Sequence, residues 1–146
     1  MKTKIISAFP GTGKSYFKQN SELNVLDSDS SKFSWIEKGV RHPDFPQNYI
    51  NHIKENIGKV DIILVSSHAN VRNALMQEGI YFWLMFPEID LKNEYIKRFK
   101  ARGNDQNFID MLDIQWDSFI KGLERQPTCK IIRLKSGEFL SDYIND

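Results

Sequence analysis

The sequence predicts an α/β protein built on a parallel sheet, and three observations support this class. Segments typical of strands and of helices alternate along the 146 residues. Two apolar runs, at 60–65 and 80–86, suit strands that are covered on both faces. A glycine-rich turn lies between the first strand-like run and the first helix. Because such alternation implies crossover connections, we expect parallel strands with helices on both faces of the sheet.

The first elements are delimited by apolar runs and turn residues: a strand at 3–8, a helix at 14–20 and a short strand at 23–27. The stretch 28–45 is polar with scattered aromatic side chains and has no clean period, so it predicts no regular element. Pro46 then opens a helix, because proline suits the first helical turn, and Gly58 closes it.

The alternation continues with a strand at 60–65, a helix at 69–78, a strand at 80–86, helices at about 88–102 and 105–124, a strand at 130–134 and a helix at 138–145. Ligands of parallel sheets bind at the carboxyl ends of the strands. The glycine-rich turn, residues 27–29 and Ser66-Ser67-His68 are therefore expected to converge at one edge.

Size and composition bound the possible functions. Residues 1–146 predict a single domain with no room for a second enzyme module. The formal net charge of +1 disfavours extended nucleic-acid binding. Cys129 is the only cysteine, which fits a reducing cytoplasm, and no leader or membrane-spanning run is evident. We therefore expect a cytoplasmic protein without membrane contact, and the oligomeric state stays open.

The most informative motif is residues 8–15, Ala-Phe-Pro-Gly-Thr-Gly-Lys-Ser. It matches the phosphate-binding loop pattern G-x-x-x-x-G-K-[ST], with Ala in place of the first Gly. Glycines let the backbone curl so that successive N–H groups point at phosphate oxygens. Lys14 is expected to reach the β- and γ-phosphates of ATP, and the Ser15 hydroxyl to bind Mg²⁺. The expected nucleotide contacts in this segment are Pro10, Gly11, Thr12, Gly13, Lys14, Ser15 and Tyr16.

Together with Asp27-Ser28-Asp29 and the arginine-bearing segment 98–103, this loop makes the chain resemble small P-loop kinases. It is similar to the nucleoside monophosphate kinase group, particularly to compact phage-encoded (deoxy)nucleotide kinases. The resemblance implies a three-layer P-loop NTPase fold whose five-stranded parallel sheet is ordered 2-3-1-4-5. It also implies an acceptor-binding segment at 28–57, a lid region at about 88–124, and Lys135 bordering the adenine.

Asp27 and Asp29 lie two residues apart just past a strand, so both side chains could point into the same cleft. One could hold a magnesium-bound water, and the other could accept a proton from an acceptor hydroxyl. Because the strand ending at Ser66 carries no aspartate at its carboxyl end, this pair is also the expected carboxylate support for Mg²⁺. The alternative is that Asp27 and Ser28 only cap the next turn.

Arg98 and Arg102 lie four residues apart on one helix face, beside Tyr95 and Phe99. Planar guanidinium groups suit the charge that accumulates during phosphoryl transfer, and the resemblance makes these two the lid arginines. The alternative is an ordinary helix edge whose arginine stems lie along apolar surface.

Arg72 lies one turn into a helix that opens at the ligand edge, where it could clamp a phosphate-bearing acceptor; a solvated arginine is the alternative. Aromatic residues of the 28–57 segment could stack on a base or pin the segment to the body. The expected acceptor contacts are Arg41, Phe45, Tyr49, Arg72 and Trp35. A helical stripe predicts plain core at Phe108, Leu112, Trp116, Phe119 and Leu123.

Three functional hypotheses follow. The first is an ATP-dependent kinase acting on a (deoxy)nucleoside monophosphate. The second is a kinase of a hydroxyl, on a small molecule or a nucleic-acid 5′ end, with Asp29 or Asp27 as base. The third is a non-catalytic ATP-binding module, against which the arginine pair argues, since a passive binder has no transition state to stabilise.

Overall fold

In a computed structural model of the chain, five parallel strands form the main sheet. The structure describes residues 2–28, 33, 35–37 and 40–144, and of residues 35–37 only the backbone. The strands of the main sheet are β1 (Lys4–Ala8), β2 (Val25–Asp27), β5 (Ile62–Ser66), β6 (Trp83–Pro87) and β7 (Lys130–Leu134). They lie in the order β2-β5-β1-β6-β7. The predicted α/β class and parallel sheet are therefore confirmed.

A short antiparallel pair lies outside that sheet, within the stretch for which the sequence predicts no regular element. It consists of β3 (Trp35–Glu37) and β4 (Val40–Arg41). Strands this short carry too few residues to show a period of two, which is why the sequence pattern does not reveal them.

Five α-helices connect the strands within the described ranges: α1 (Lys14–Asn20), α2 (Gln47–Asn56), α3 (Ala69–Gln77), α4 (Lys92–Ala101) and α5 (Gln106–Glu124). A 3₁₀ turn at Ile89–Leu91 precedes α4. The predicted helix at 138–145 is wrong, because the structure has only a 3₁₀ turn there, Leu140–Asp142. The Leu140 N–H donates to the Thr12 carbonyl at 3.0 Å. This bond docks the C-terminal segment onto residues 8–15, which we call the phosphate loop after the motif that they match.

Hydrophobic cores lie on both faces of the sheet. Alternate strand residues such as Ile63 and Val65 pack against α2, α3, α4 and α5, whereas Ile62 and Leu64 face α1 and the C-terminal 3₁₀ turn. The register pairs Ala8 with Ser66, so β1 and β5 end at the same edge. This edge carries the loop that leads into α1. Within the described residues, no helix combines the length and apolar character that a membrane crossing requires.

Candidate active site

The loop between β1 and α1 has a conformation that only glycine accepts easily. Gly11 has φ of 80° and Gly13 of 92°. A β-carbon on Gly11 would lie 3.0 Å from the Phe99 ring, and one on Gly13 would lie 3.1 Å from the Phe139 ring. Both the left-handed backbone and the lack of space therefore require glycine at these two positions.

A series of unpaired backbone donors follows from this conformation. The buried Thr12 hydroxyl donates to the Phe9 carbonyl at 2.6 Å and closes the loop. The first helical hydrogen bond runs from the Phe17 N–H to the Gly13 carbonyl at 2.9 Å. Within the part of the chain that the structure describes, the backbone N–H groups of residues 11–16 donate to no protein acceptor. Adjacent unpaired amides of this kind form a binding site for an anion.

The side chains that follow the loop are available to a ligand. Lys14 is half-buried, and no described group forms a hydrogen bond or ion pair with its ammonium. Ser15 and Tyr16 are exposed at the start of α1. Contact of these three side chains with a nucleotide stays a prediction.

A cavity of about 450 Å³ opens beside this loop. The loop contributes Phe9, Pro10 and Lys14, and the segment from the end of β5 into α3 contributes Ser66, His68 and Arg72. Among the described residues, Lys14 and Arg72 are its charged lining, and no carboxylate lines it. The cavity is therefore electropositive at the end next to the phosphate loop.

Arg72 is buried, with only 8% of its surface exposed. Its Nε donates to the Ser67 carbonyl and its Nη1 donates to Gln126 Oε1, both at 2.8 Å. Burial lowers the pKa of the guanidinium from its ordinary value. The alternative of a solvated arginine is wrong, because α5 and the loop after it cover this part of α3.

The rim between β5 and α3 adds polar groups. The Ser66 hydroxyl oxygen is buried and has no hydrogen-bond partner among the described residues. His68 is the N-cap residue of α3, and its carbonyl accepts from the N–H groups of Val71 and Arg72 at 3.1 and 3.0 Å. The sequence signal for this rim was the run Ser66-Ser67-His68 at the end of a buried strand.

Helix α5 forms the apolar wall of the cavity, which corrects the prediction of a plain core stripe. Leu112, Trp116 and Leu123 are buried as predicted. Phe119, however, is 39% exposed, and Met111 of the same helix is 40% exposed; both line the cavity, as does Phe108. Periodicity shows that this helix face is apolar, but it does not show whether the face meets packed side chains or open space.

The two predicted lid arginines have different positions. The Arg98 guanidinium lies between the Tyr95 and Phe139 rings, 4.3 Å from each centroid, and Glu94 accepts a 2.9 Å hydrogen bond from it. Arg102 follows the last residue of α4 and is exposed, 5.6 Å from the Phe99 ring. Arg98 also donates a hydrogen bond to the Gly11 carbonyl of the loop, whereas Arg102 contacts the Phe99 ring.

Glu94 is a site-supporting residue that sequence reasoning missed. Its carboxylate accepts hydrogen bonds from the Ser136 hydroxyl, the Gly137 N–H and Arg98. These contacts lower the pKa of Glu94, the Ser136 hydrogen bond most. The glutamate therefore joins α4 to the loop after β7. Lys135 of that loop is exposed, and its N–H donates to Glu138.

None of the described residues of the 28–57 segment lines the cavity. Tyr49 is fully buried and its hydroxyl donates to the Ser28 carbonyl, while Phe45 stacks on it at 6.2 Å. Both residues therefore pin the segment to the body, which was the alternative to base stacking. Arg41 is exposed on β4, which pairs with the backbone of Trp35, whose side chain lies outside the described part.

Of the two predicted carboxylates, the structure describes only Asp27. Asp27 is half-buried at the end of β2, level with Leu64 of the neighbouring strand, and is not among the residues that line the cavity. Asp29 lies outside the described residues.

Comparison with protein-family models finds no match, and comparison with curated proteins finds none either. The functional interpretation therefore depends on the chemistry of the site.

Proposed function

We propose that this chain is an ATP-dependent kinase that transfers the γ-phosphoryl group to a (deoxy)nucleoside monophosphate. The observation that carries the proposal is that Lys14 and Arg72 line one cavity, beside the unpaired backbone donors of residues 11–16. When only the five strands of the main sheet are numbered in chain order, their order across the sheet is 2-3-1-4-5. This order equals the one that the resemblance to P-loop kinases implies, and it supports a P-loop NTPase fold.

ATP would bind at the phosphate loop. The N–H groups of residues 11–16 would surround the phosphate oxygens, and the Lys14 ammonium would balance charge on the β- and γ-phosphates. Mg²⁺ usually takes one or two protein ligands together with phosphate oxygens. The exposed Ser15 hydroxyl fits that role, and the metal would neutralise charge between the β- and γ-phosphates.

The acceptor nucleotide would bind in the cavity. Its volume of about 450 Å³ falls within the range of about 300–1,000 Å³ typical of small-molecule sites. A phosphate at Arg72 would leave the base against the apolar wall of α5. An acceptor phosphate oxygen would then bond to the γ-phosphorus while the bond from that phosphorus to the β,γ-bridging oxygen breaks, and ADP would leave.

A phosphate acceptor is favoured over a hydroxyl by the charges of the cavity. A hydroxyl acceptor needs a base that removes its proton, and no carboxylate lines the cavity within the described ranges. His68, the imidazole in the lining, is the N-cap residue of α3. A phosphate oxygen is already anionic and needs no such base. A passive ATP-binding module, in turn, would not need a buried cation such as Arg72 in the cavity beside the loop.

The test measures turnover with Mg-ATP through the release of ADP. The acceptors offered are a panel of ribo- and deoxynucleoside monophosphates, the matching nucleosides and a 5′-hydroxyl oligonucleotide. We expect turnover with one or more monophosphates and none with nucleosides. Monophosphates should also bind at least about tenfold more tightly, or roughly 1.4 kcal/mol. Asp27→Asn should keep turnover, although a higher Mg²⁺ requirement would fit a role in holding metal-bound water.

Three results would contradict the proposal. Turnover only with nucleosides or 5′-hydroxyl ends, abolished by Asp27→Asn, would establish the hydroxyl kinase. ATP binding without turnover would favour the passive module. ADP release independent of any acceptor would indicate an ATPase.

A further inference from the structure

A neutral amide lies against the buried guanidinium of the cavity. Gln126 follows α5 and is 7% exposed, and its Oε1 accepts a 2.8 Å hydrogen bond from Arg72 Nη1. The Ser67 carbonyl accepts from Arg72 Nε at 2.8 Å. Two acceptors from different segments therefore hold the planar guanidinium in one orientation.

The amide of Gln126 is itself held in place. Its Nε2 donates to the Pro127 carbonyl at 3.1 Å and lies 3.9 Å from the Met76 sulfur. Because Nε2 is the donor and contacts Pro127 and Met76, the acceptor oxygen Oε1 is the atom that faces Arg72. Gln126 thus acts as a fixed acceptor and not as a mobile surface side chain.

Within the ranges that the structure describes, the charge of Arg72 has no ion-pair partner. A buried arginine normally pairs with a carboxylate, yet none of the ion pairs among the described residues includes Arg72. Cys129 is the ionisable neighbour that affects it, and burial raises the pKa of that thiol, which keeps it neutral. Both acceptors on Arg72 are uncharged. An uncompensated cation in a cavity wall is a binding site for an anion.

We infer that Gln126 is a positioning residue for the phosphate of the acceptor. It fixes Arg72 in the cavity wall and leaves the positive charge uncompensated, so that a bound phosphate supplies the counter-charge. A carboxylate at this position would hold the arginine equally well but would neutralise it. The inference rests on the proposed function because it assigns the cavity to a phosphate-bearing acceptor.

Gln126→Glu tests this inference with little change in shape. Inorganic phosphate, and separately each deoxynucleoside monophosphate, is titrated calorimetrically into protein saturated with Mg-ADP, which keeps the phosphate loop occupied. We expect the dissociation constant of the cavity ligand to rise at least about tenfold, with Mg-ADP affinity unchanged. Gln77→Glu is the matched control: the same substitution at an exposed position of α3 that does not line the cavity should change neither constant.

Gln126→Met is a second variant, which retains the charge of Arg72 but removes the acceptor. We expect a higher KM for the acceptor with a smaller change in kcat, because the guanidinium is held less firmly. Melting temperatures show whether each variant folds. If Gln126→Glu does not fold, unchanged acceptor KM in Gln126→Met overturns the inference.

The outcomes separate this inference from the proposed function. Wild-type turnover with unchanged phosphate binding in Gln126→Glu overturns the inference alone. If the wild-type protein binds phosphate but shows no turnover, and Gln126→Glu loses that phosphate binding, the result supports the inference and contradicts the kinase. A wild-type protein that binds neither phosphate nor any monophosphate overturns both.

Discussion

The Arg98 guanidinium donates a 2.8 Å hydrogen bond to the carbonyl oxygen of Gly11, across 87 positions of sequence. The same group is bonded to Glu94 and lies between two aromatic rings. Helix α4 and the phosphate loop are thereby joined through a cation. A nucleotide bound at the loop would lie beside a positive charge that is already oriented.

Arg98→Ala is expected to lower kcat at least about tenfold while changing the KM for ATP less, because a guanidinium beside the loop stabilises charge that develops in the transition state. Arg102→Ala should have a smaller effect on kcat, since Arg102 is exposed beyond the end of α4. Steady-state kinetics of both variants measures this. Wild-type kcat in Arg98→Ala would show that the residue only braces the loop.

Lys14→Ala is expected to abolish phosphoryl transfer and leave the fold intact. Its ammonium has no partner among the described residues, so the melting temperature should stay within about 2 °C of the wild-type value. Lys18→Ala, at an exposed position of the same helix, serves as the control and should retain full turnover. Turnover of Lys14→Ala near the wild-type rate would refute the kinase assignment.

Phe119→Ala is expected to raise the KM for the acceptor by about tenfold, the change that corresponds to roughly 1.4 kcal/mol of lost contact. The KM for ATP should not change. Ile114→Ala is the matched control, because Ile114 lies on the same helix, is 80% exposed and does not line the cavity. Equal acceptor KM values in the two variants would mean that the base does not pack against α5.

Glu94→Gln tests the link between α4 and the loop after β7 through its pH dependence. The folded-state pKa of Glu94 is lowered, mainly by the Ser136 hydrogen bond, so its stabilisation is present above the usual glutamate pKa and is lost as pH falls through the lowered value. We expect Glu94→Gln to melt at a lower temperature near about pH 7, and to lose less stability than the wild type between about pH 5 and about pH 3.

Thermal denaturation of Glu94→Gln and of the wild type between about pH 3 and about pH 7 measures this difference in stability. Glu55→Gln, at an exposed position of α2, is the control and should follow the wild-type profile. A Glu94→Gln profile parallel to that of the wild type would show that this carboxylate contributes nothing to the pH dependence of folding.

Features that depend on neighbours in sequence could be predicted. The strand-helix alternation predicts the α/β class that the structure has. The spacing of Gly11 and Gly13 predicts a tight turn, and both glycines have the left-handed backbone that such a turn needs, whereas phosphate binding by this turn stays a prediction. Such features follow from backbone conformation and from apolar periodicity over a few residues. The helix expected at 138–145 failed because the docking of Leu140 onto Thr12, a long-range contact, replaces the local pattern.

The candidate acceptor site depends on contacts between distant segments. Arg72 and Gln126 are 54 residues apart, and neither residue indicates by itself that the other is its partner. The apolar stripe of α5 was evident, but whether Phe119 meets the core or a cavity is decided by the space between α5, β5 and α3. The sequence determined the local chemistry of the loop, and only the tertiary structure decided which charges and apolar faces share a cavity, because packing of separate elements has no local signature.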